Sequence, residues 1–252
     1  MADATPSLVG AGKTVVYGPV RSRRLGSSLG VNLLPARSKV CNFDCPYCEC
    51  GFNREKDAAA RWPSPDEIGH ALRRALERLP QPPDWITLSG SGEPTMHPRF
   101  AVAVDRVLAA RDDVAPRTRV AVLSNGVLAG VPAVRDALLR LDGRFMKLDP
   151  GPAELVNALA LDGRALAESY RALRPVTVQS MVARGAGWDG GSEASVAAWL
   201  PLLVRADPAA VHLYSIARAP ADPGVTNVTR ERLLVMAEAI REALPRTIVD
   251  VF

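Results

Sequence analysis

The sequence predicts an α/β fold of six strand–helix units with parallel strands. Two observations carry this reading. Short runs rich in Val, Ile and Leu alternate along the chain with longer stretches whose apolar residues recur at helical spacing. The distinctive polar and glycine-rich segments follow those runs directly, at the strand ends where parallel α/β folds bind ligands.

The elements follow in order. Residues 1–13 read as a flexible N-terminal tail and 14–252 as a single domain. A first strand spans 29–34 and is ended by Pro35. Ser64-Pro65-Asp66-Glu67 then opens a helix: serine caps, proline suits the first helical position, and glutamate three residues on completes a capping box. Ile68, Leu72, Ala75, Leu76 and Leu79 make its apolar face. Strands follow at 85–88, 120–123, 145–148, 176–182 and 210–214, with a short final one at 247–251. Helices fall at 99–110, 131–141, within 153–173 with a break near Gly163, at 193–206 and at 230–244. The glycine-rich stretch 185–191 is the candidate mobile loop.

Of the 252 residues, 48% are hydrophobic and 23% charged, as in ordinary globular proteins. No apolar run approaches the roughly 20 residues that span a bilayer. The first residues lack the basic-then-apolar pattern of a secretory signal. A cytoplasmic location without membrane association is the expectation, and it suits thiols that must stay reduced. The net charge is +4. Arg21, Arg23, Arg24, Arg37 and Lys39 precede the cysteines, a grouping able to receive phosphate or nucleic acid. A solvated surface explains the same residues more simply. Aromatic content of 5% gives little support for stacking on bases.

The most informative segment is Cys41-Asn42-Phe43-Asp44-Cys45-Pro46-Tyr47-Cys48, with spacing C-x3-C-x2-C. Three thiolates can hold three irons of a [4Fe–4S] cluster and leave the fourth open. Cys50 follows, so four thiols are also available to a tetrahedral zinc, although structural zinc sites usually pair two short motifs across a loop. Disulfides are the weakest reading, because clustered cysteines without a secretory signal more often bind metal.

With an aromatic before its third cysteine, this segment resembles the cluster-binding loop of the radical S-adenosylmethionine (SAM) enzymes. The resemblance implies a partial (β/α)6 barrel and a cluster held by Cys41, Cys45 and Cys48. SAM would bind the open iron through its amino and carboxylate groups. An electron would then cleave SAM and release a 5′-deoxyadenosyl radical. Tyr47 would lie near the adenine, and Cys50 would stand outside the triad.

Three further segments extend the likeness. Ser89-Gly90-Ser91-Gly92-Glu93-Pro94 resembles the family's Gly-Gly-Glu-Pro segment, with Ser91 in place of its first glycine; Gly90, Ser91, Gly92 and Glu93 would meet the amino group of SAM. Read alone, it is a glycine-rich turn. Ser124 and Asn125 stand where the family contacts the ribose, and Ser124-Asn125-Gly126 equally suits a turn. Lys147 and Asp149 fall on one face of a strand end, as a buried ion pair or as contacts of the SAM carboxylate. Gln179, Tyr214 and Arg218 are candidates for facing the substrate, each equally able to serve as a structural polar residue. His97 reads as a packing or capping residue.

Residues 17–20, 22–30, 90–98 and 214–223 together with the cysteine loop look like a compact single-cluster subgroup. It is distantly related to the tRNA wyosine-base synthases and known as iron–sulfur oxidoreductases. The chain lacks the additional cysteines of a second cluster and a flavodoxin-like domain. An external flavodoxin- or ferredoxin-type electron donor is therefore implied. The substrate is unassigned: a nucleobase or tRNA, or a glycyl-radical enzyme awaiting activation. The rival reading is a non-catalytic zinc- or cluster-binding module.

Overall fold

The computed structural model of the protein describes residues 14–36, 38–53, 61–151 and 162–252. The expected tail, Arg37 and the first part of the helix expected within 153–173 lie outside the described residues. The chain divides into two compact units. One takes in the described residues up to 42, 53–124 and 132–143, the other 43–52, 125–131 and those from 144 onward.

The first unit carries strands β1 (Val16–Ser22), β2 (Gly26–Val31), β3 (Trp85–Leu88) and β4 (Arg119–Ser124), adjacent in that order. β2, β3 and β4 run parallel, as expected. β1 was not anticipated; it pairs antiparallel with β2, and the register slips between Tyr17 and Val20. Gly18 and Pro19 bulge there. Proline within an apolar run argues against a central strand but is compatible with an edge and a bulge. β2 ends at Val31 instead of reaching residue 34, because Asn32 turns the chain. Its side chain accepts from Leu34 N (3.1 Å) and donates to Leu34 O (3.2 Å).

The helices of this unit are α1 (Pro65–Glu77), α2 (Phe100–Val114) and α3 (Pro132–Leu139). α1 begins with the capping box its sequence spells: Ser64 Oγ accepts from Glu67 N (3.3 Å) and the Glu67 carboxylate accepts from Ser64 N (2.7 Å). Ile68, Leu72 and Leu76 are buried on its inner face.

The second unit is built on four parallel strands in the order β5 (Gly143–Lys147), β6 (Thr177–Met181), β9 (Ala210–Tyr214) and β11 (Ile248–Val251). Its helices are α4 (Gly163–Ala172), α5 (Glu193–Ala206) and α6 (Arg230–Ala243). Each is capped by a side chain at its start, from Asp162, Ser192 and Thr229 respectively. The stretch expected to be a mobile loop is instead a hairpin. β7 (Ala183–Gly185) and β8 (Trp188–Asp189) join β10 (Thr226–Asn227) in a small antiparallel sheet. Glycine there serves close packing and a tight turn. Gly187 takes φ +78°, and a Cβ on Gly185 would lie 2.4 Å from the Trp188 indole nitrogen.

Candidate functional site

In the first unit, the residue before the first cysteine is docked on the glycine-rich segment after β3. Val40 N donates to Ser91 O and Glu93 N to Val40 O, both at 2.9 Å. Gly92 makes this approach possible: it has φ +135°, and a Cβ there would sit 1.9 Å from the Val40 carbonyl oxygen. The close backbone approach anticipated for a ligand is made here by the lead-in to Cys41. Asn53 Nδ2 donates to Cys41 O (3.2 Å) from the far side of the loop.

Glu93 is buried, and one of its carboxylate oxygens accepts from Thr95 N (3.0 Å), Thr95 Oγ1 (2.6 Å) and Ser124 Oγ (2.8 Å). Ser124 thus spends its hydroxyl proton on Glu93, tying the ends of β3 and β4 together. His97 packs and caps as expected. Its Nδ1 accepts from Arg99 N (3.0 Å) at the start of α2, and Nε2 lies 2.9 Å from Pro63 O.

The second unit contains the rest of the cysteine loop. Cys48 N donates to Cys45 O (3.0 Å) and Gly51 N to Cys48 O (3.2 Å), so the loop tightens into successive turns. Cys45 is buried, Cys48 half-buried and Cys50 exposed, none of them in a disulfide. Tyr47 is buried too, and its hydroxyl donates to Asp149 Oδ2 (2.5 Å). Lys147 Nζ lies 2.6 Å from the same oxygen and 4.5 Å from the centre of the Tyr47 ring. Asp149 Oδ1 accepts from Met181 N (2.8 Å). The strand-end lysine and aspartate are therefore an ion pair, and it fixes the aromatic beside the third cysteine.

The electrostatics follow from this geometry. Burial pushes the Cys45 thiol above its ordinary value, and the nearby Lys147 ammonium works against that shift. Burial also disfavours the Lys147 ammonium, but Asp149, Cys45 and Tyr214 outweigh it and Lys147 holds its proton more tightly than usual. Burial first, and then the Asp149 carboxylate, hold the Tyr47 phenol well above its ordinary value. A cation beside a buried thiol, and cysteines outside disulfides at the cluster spacing, form a donor set that fits an iron–sulfur cluster. Among the described residues, no three His, Cys, Asp or Glu side chains converge as the ligands of a single ion.

The remaining expected residues separate in role. Asn125 Oδ1 accepts from Val127 N (3.1 Å), capping the turn after β4. Gln179 is buried on β6, and Tyr214 is half-buried at the end of β9. Arg218 does not face a free space: its guanidinium pairs with Glu49, between Cys48 and Cys50, at 2.7 Å. Asp222 N donates to Pro46 O (2.9 Å), so the segment after β9 grips the cysteine loop twice. Glu49 was not singled out from sequence, since an exposed-type acid in a loop carries no local signal. Tyr170 was missed for a similar reason. It is fully buried in α4, and its hydroxyl lies 2.6 Å from Lys147 O and 3.0 Å from Asn125 O. A Cβ on Gly126 would meet that hydroxyl at 2.2 Å, which accounts for this glycine. The basic segment divides as well. Arg21 and Arg23 are exposed, while Arg24 and Lys39 are half-buried.

The family model described as the radical SAM superfamily matches residues 37–146. A UPF0026 protein of Helicobacter pylori (strain ATCC 700392 / 26695) is 35% identical over 135 residues, 54% of this chain and 42% of that protein. The match thus spans less than half the length of that curated relative. Streptococcus suis SuiB, solved with S-adenosylmethionine bound, shares the fold with a TM-score of 0.59 at 11% identity, over 88% of this chain and 50% of that one. Archaeal TYW1 does so with a TM-score of 0.54 at 15% identity, over 86% and 72%. The α/β class with parallel strands and the partial barrel expected from the sequence agree with these structures. The match to the radical SAM superfamily thus rests on residues 37–146, which hold the cysteine loop and the strand–helix units after it.

Proposed function

We propose that the protein is an enzyme that reductively cleaves SAM and abstracts hydrogen from a separate substrate. Cys41, Cys45 and Cys48 are the thiolates that hold one [4Fe–4S] cluster. When bound, cluster and SAM together supply a 5′-deoxyadenosyl radical. Gly90, Ser91, Gly92, Glu93 and Ser124 of the first unit, and Tyr47, Asn125, Lys147 and Asp149 of the second, are the residues that the resemblance assigns to SAM. The observation that carries this reading is the docking of Val40 on Gly92. It joins the lead-in to Cys41 to the glycine-rich segment through backbone hydrogen bonds, which supports reading the first cysteine and the cofactor segment as parts of one functional region.

The chain's own residues supply orientation and charge. Lys147 keeps a positive charge beside the Cys45 thiolate, and Asp149 holds Tyr47 against rotation. The electron comes from an external donor of flavodoxin or ferredoxin type. The substrate is an anionic group, in a nucleobase or tRNA or in a glycyl-radical enzyme to be activated. Residues 21 and 23 are the exposed cations available to it.

Anaerobic reconstitution with iron and sulfide, reduction with dithionite and addition of SAM should yield 5′-deoxyadenosine. Cys50→Ala should retain both iron and product, and Cys45→Ala should lose both. A fully iron-loaded protein that makes no 5′-deoxyadenosine, or a wild type that carries tetrahedral zinc lost in Cys50→Ala, would sink the assignment.

A further inference from the structure

In the second unit, the segment after β9 holds one arginine in place. Ser215 Oγ donates to Val182 O (2.7 Å) and accepts from Val228 N (3.0 Å), which ties the two ends of residues 215–228 together. Between those ends, Asp222 Oδ1 accepts from Gly224 N (2.8 Å), and Asp222 N donates to Pro46 O (2.9 Å) inside the cysteine loop. Arg218 lies among these anchors, and its guanidinium meets the Glu49 carboxylate at 2.7 Å. The two side chains are 33% and 26% exposed, and an ion pair this open contributes little to stability. Its position has a different consequence.

Glu49 is the chain neighbour of Cys48. Adjacent Cα atoms are about 3.8 Å apart, so the carboxylate lies within roughly a Debye length of the Cys48 sulfur. Three thiolates around a doubly positive [4Fe–4S] core carry one net negative charge, and reduction makes it two. A nearby carboxylate opposes that second charge, and a cation set on the carboxylate removes the opposition. Net charge is one of the features that set cluster potentials. The other charges of this unit beside the loop are handled differently. Lys147 and Asp149 cancel each other at 2.6 Å. Asp44 is exposed, where water and salt screen it. Glu49 is half-buried, and an arginine 169 residues away is brought to it.

We propose that Arg218 is a positioning residue that eases reduction of the cluster by neutralising Glu49 beside Cys48. The inference rests on the reading of Cys41, Cys45 and Cys48 as ligands of a [4Fe–4S] cluster. One electron leaves the external donor and enters the oxidised cluster, and the ion pair forms and breaks no covalent bond. Partial exposure limits the effect. Each change of charge should move the one-electron equilibrium by about threefold to tenfold, the upper end being about 59 mV.

The test is a potentiometric titration of the full chain, anaerobically reconstituted and without SAM. The electron paramagnetic resonance signal of the reduced cluster is the readout. Arg218→Gln should lower the midpoint potential, because Glu49 is left unneutralised. Glu49→Gln should raise it, because Arg218 is left as an unopposed cation. Both variants break the same ion pair, so a merely structural role would move them in the same direction. The double variant, Arg218→Gln with Glu49→Gln, should return close to the wild type, and Arg218→Lys, which keeps the charge, should stay there. The proposal is overturned by shifts of the same sign, by no shift in either single variant, or by a double variant displaced as far as one of them. A single variant that no longer holds iron also overturns it, by showing the pair to be needed for the shape of the loop. A wild type that assembles no reducible cluster defeats the ligand assignment and this inference with it. A wild type that reduces normally, at a potential indifferent to both changes, defeats this inference alone.

Discussion

Asp149 does more in this protein than its place at a strand end suggests. Its two oxygens take the Tyr47 hydroxyl, the Lys147 ammonium and the Met181 amide, so one nearly buried carboxylate ties the cysteine loop to β5 and β6. Lys147 is about a quarter exposed, which moderates the loss on removing it. Breaking a buried pair from one side leaves an uncompensated charge and costs more than the pair itself contributes. Lys147→Met should therefore destabilise the protein by about 2–4 kcal/mol in urea unfolding. Lys147→Met with Asp149→Asn should cost less than the sum of the two single changes. Strict additivity would show that the two groups do not act as a pair. The pH dependence has a fixed sign. A raised lysine value means stability fully present below the ordinary 10.5 and lost only as pH rises beyond it. This pair therefore contributes undiminished across the neutral range.

At the scale of elements, the start of α1 shows how local sequence becomes a pH-sensitive contact. Glu67 closes the capping box and also meets Arg61 through two hydrogen bonds, at 2.7 and 2.9 Å. The Arg61 guanidinium, and then the Ser64 amide, bring its carboxyl from 4.5 down to about 2. A lowered carboxylate value stabilises above the ordinary range and loses that stabilisation as pH falls from 4.5 toward 2. Acid unfolding of Glu67→Gln should be flatter than that of the wild type in this window; superimposable acid limbs would remove Glu67 from the account.

The grip of the segment after β9 on the cysteine loop is a second element-scale device. Arg218→Glu should loosen residues 45–50, raising their amide hydrogen exchange in the metal-free protein and hastening iron release to a chelator. A partly exposed ion pair is worth about 1 kcal/mol at most, so each effect should be roughly fivefold or smaller. Combining it with Glu49→Arg should restore both readouts. If the reversed pair behaves no better than Arg218→Glu alone, charge pairing is not what holds the loop.

At the scale of the molecule, the charge balance is modest and its placement matters more than its sum. Of the arginines before the cysteine loop, Arg21 and Arg23 are exposed on β1 and the turn that follows it. Arg24 follows the hydroxyl of Ser22, which accepts from the amides of Arg24 and Leu25 at 3.2 Å and shapes the turn. Neutralising Arg21 and Arg23 together therefore tests an anionic substrate with little structural disturbance. Turnover of such a substrate should fall, and its decline with added salt should become shallower. Identical turnover across a salt series would assign both residues to the solvated surface. Among the described residues, no helix is long and apolar enough to cross a membrane.

What the sequence determined by itself was whatever rests on neighbours along the chain. Apolar period, capping residues and cysteine spacing are local, so α1 with its capping box, β3 at Trp85–Leu88, α5 at Glu193–Ala206 and β9 at Ala210–Tyr214 match the residues where the pattern placed them. The C-x3-C-x2-C loop and the glycine-rich segment after β3 were legible for the same reason. Only the tertiary structure decided matters of pairing between distant segments. It made an edge strand of Val16–Ser22 by bulging Gly18 and Pro19, and a hairpin of a glycine run that looked mobile. It required glycine at position 92 because the Val40 carbonyl lies where a side chain would go. It also gave Arg218 to Glu49, 169 residues away, and left the Gln179 amide without a partner. Hydrogen bonds and close contacts across such separations depend on where strands and loops meet, which no local pattern of residue types encodes.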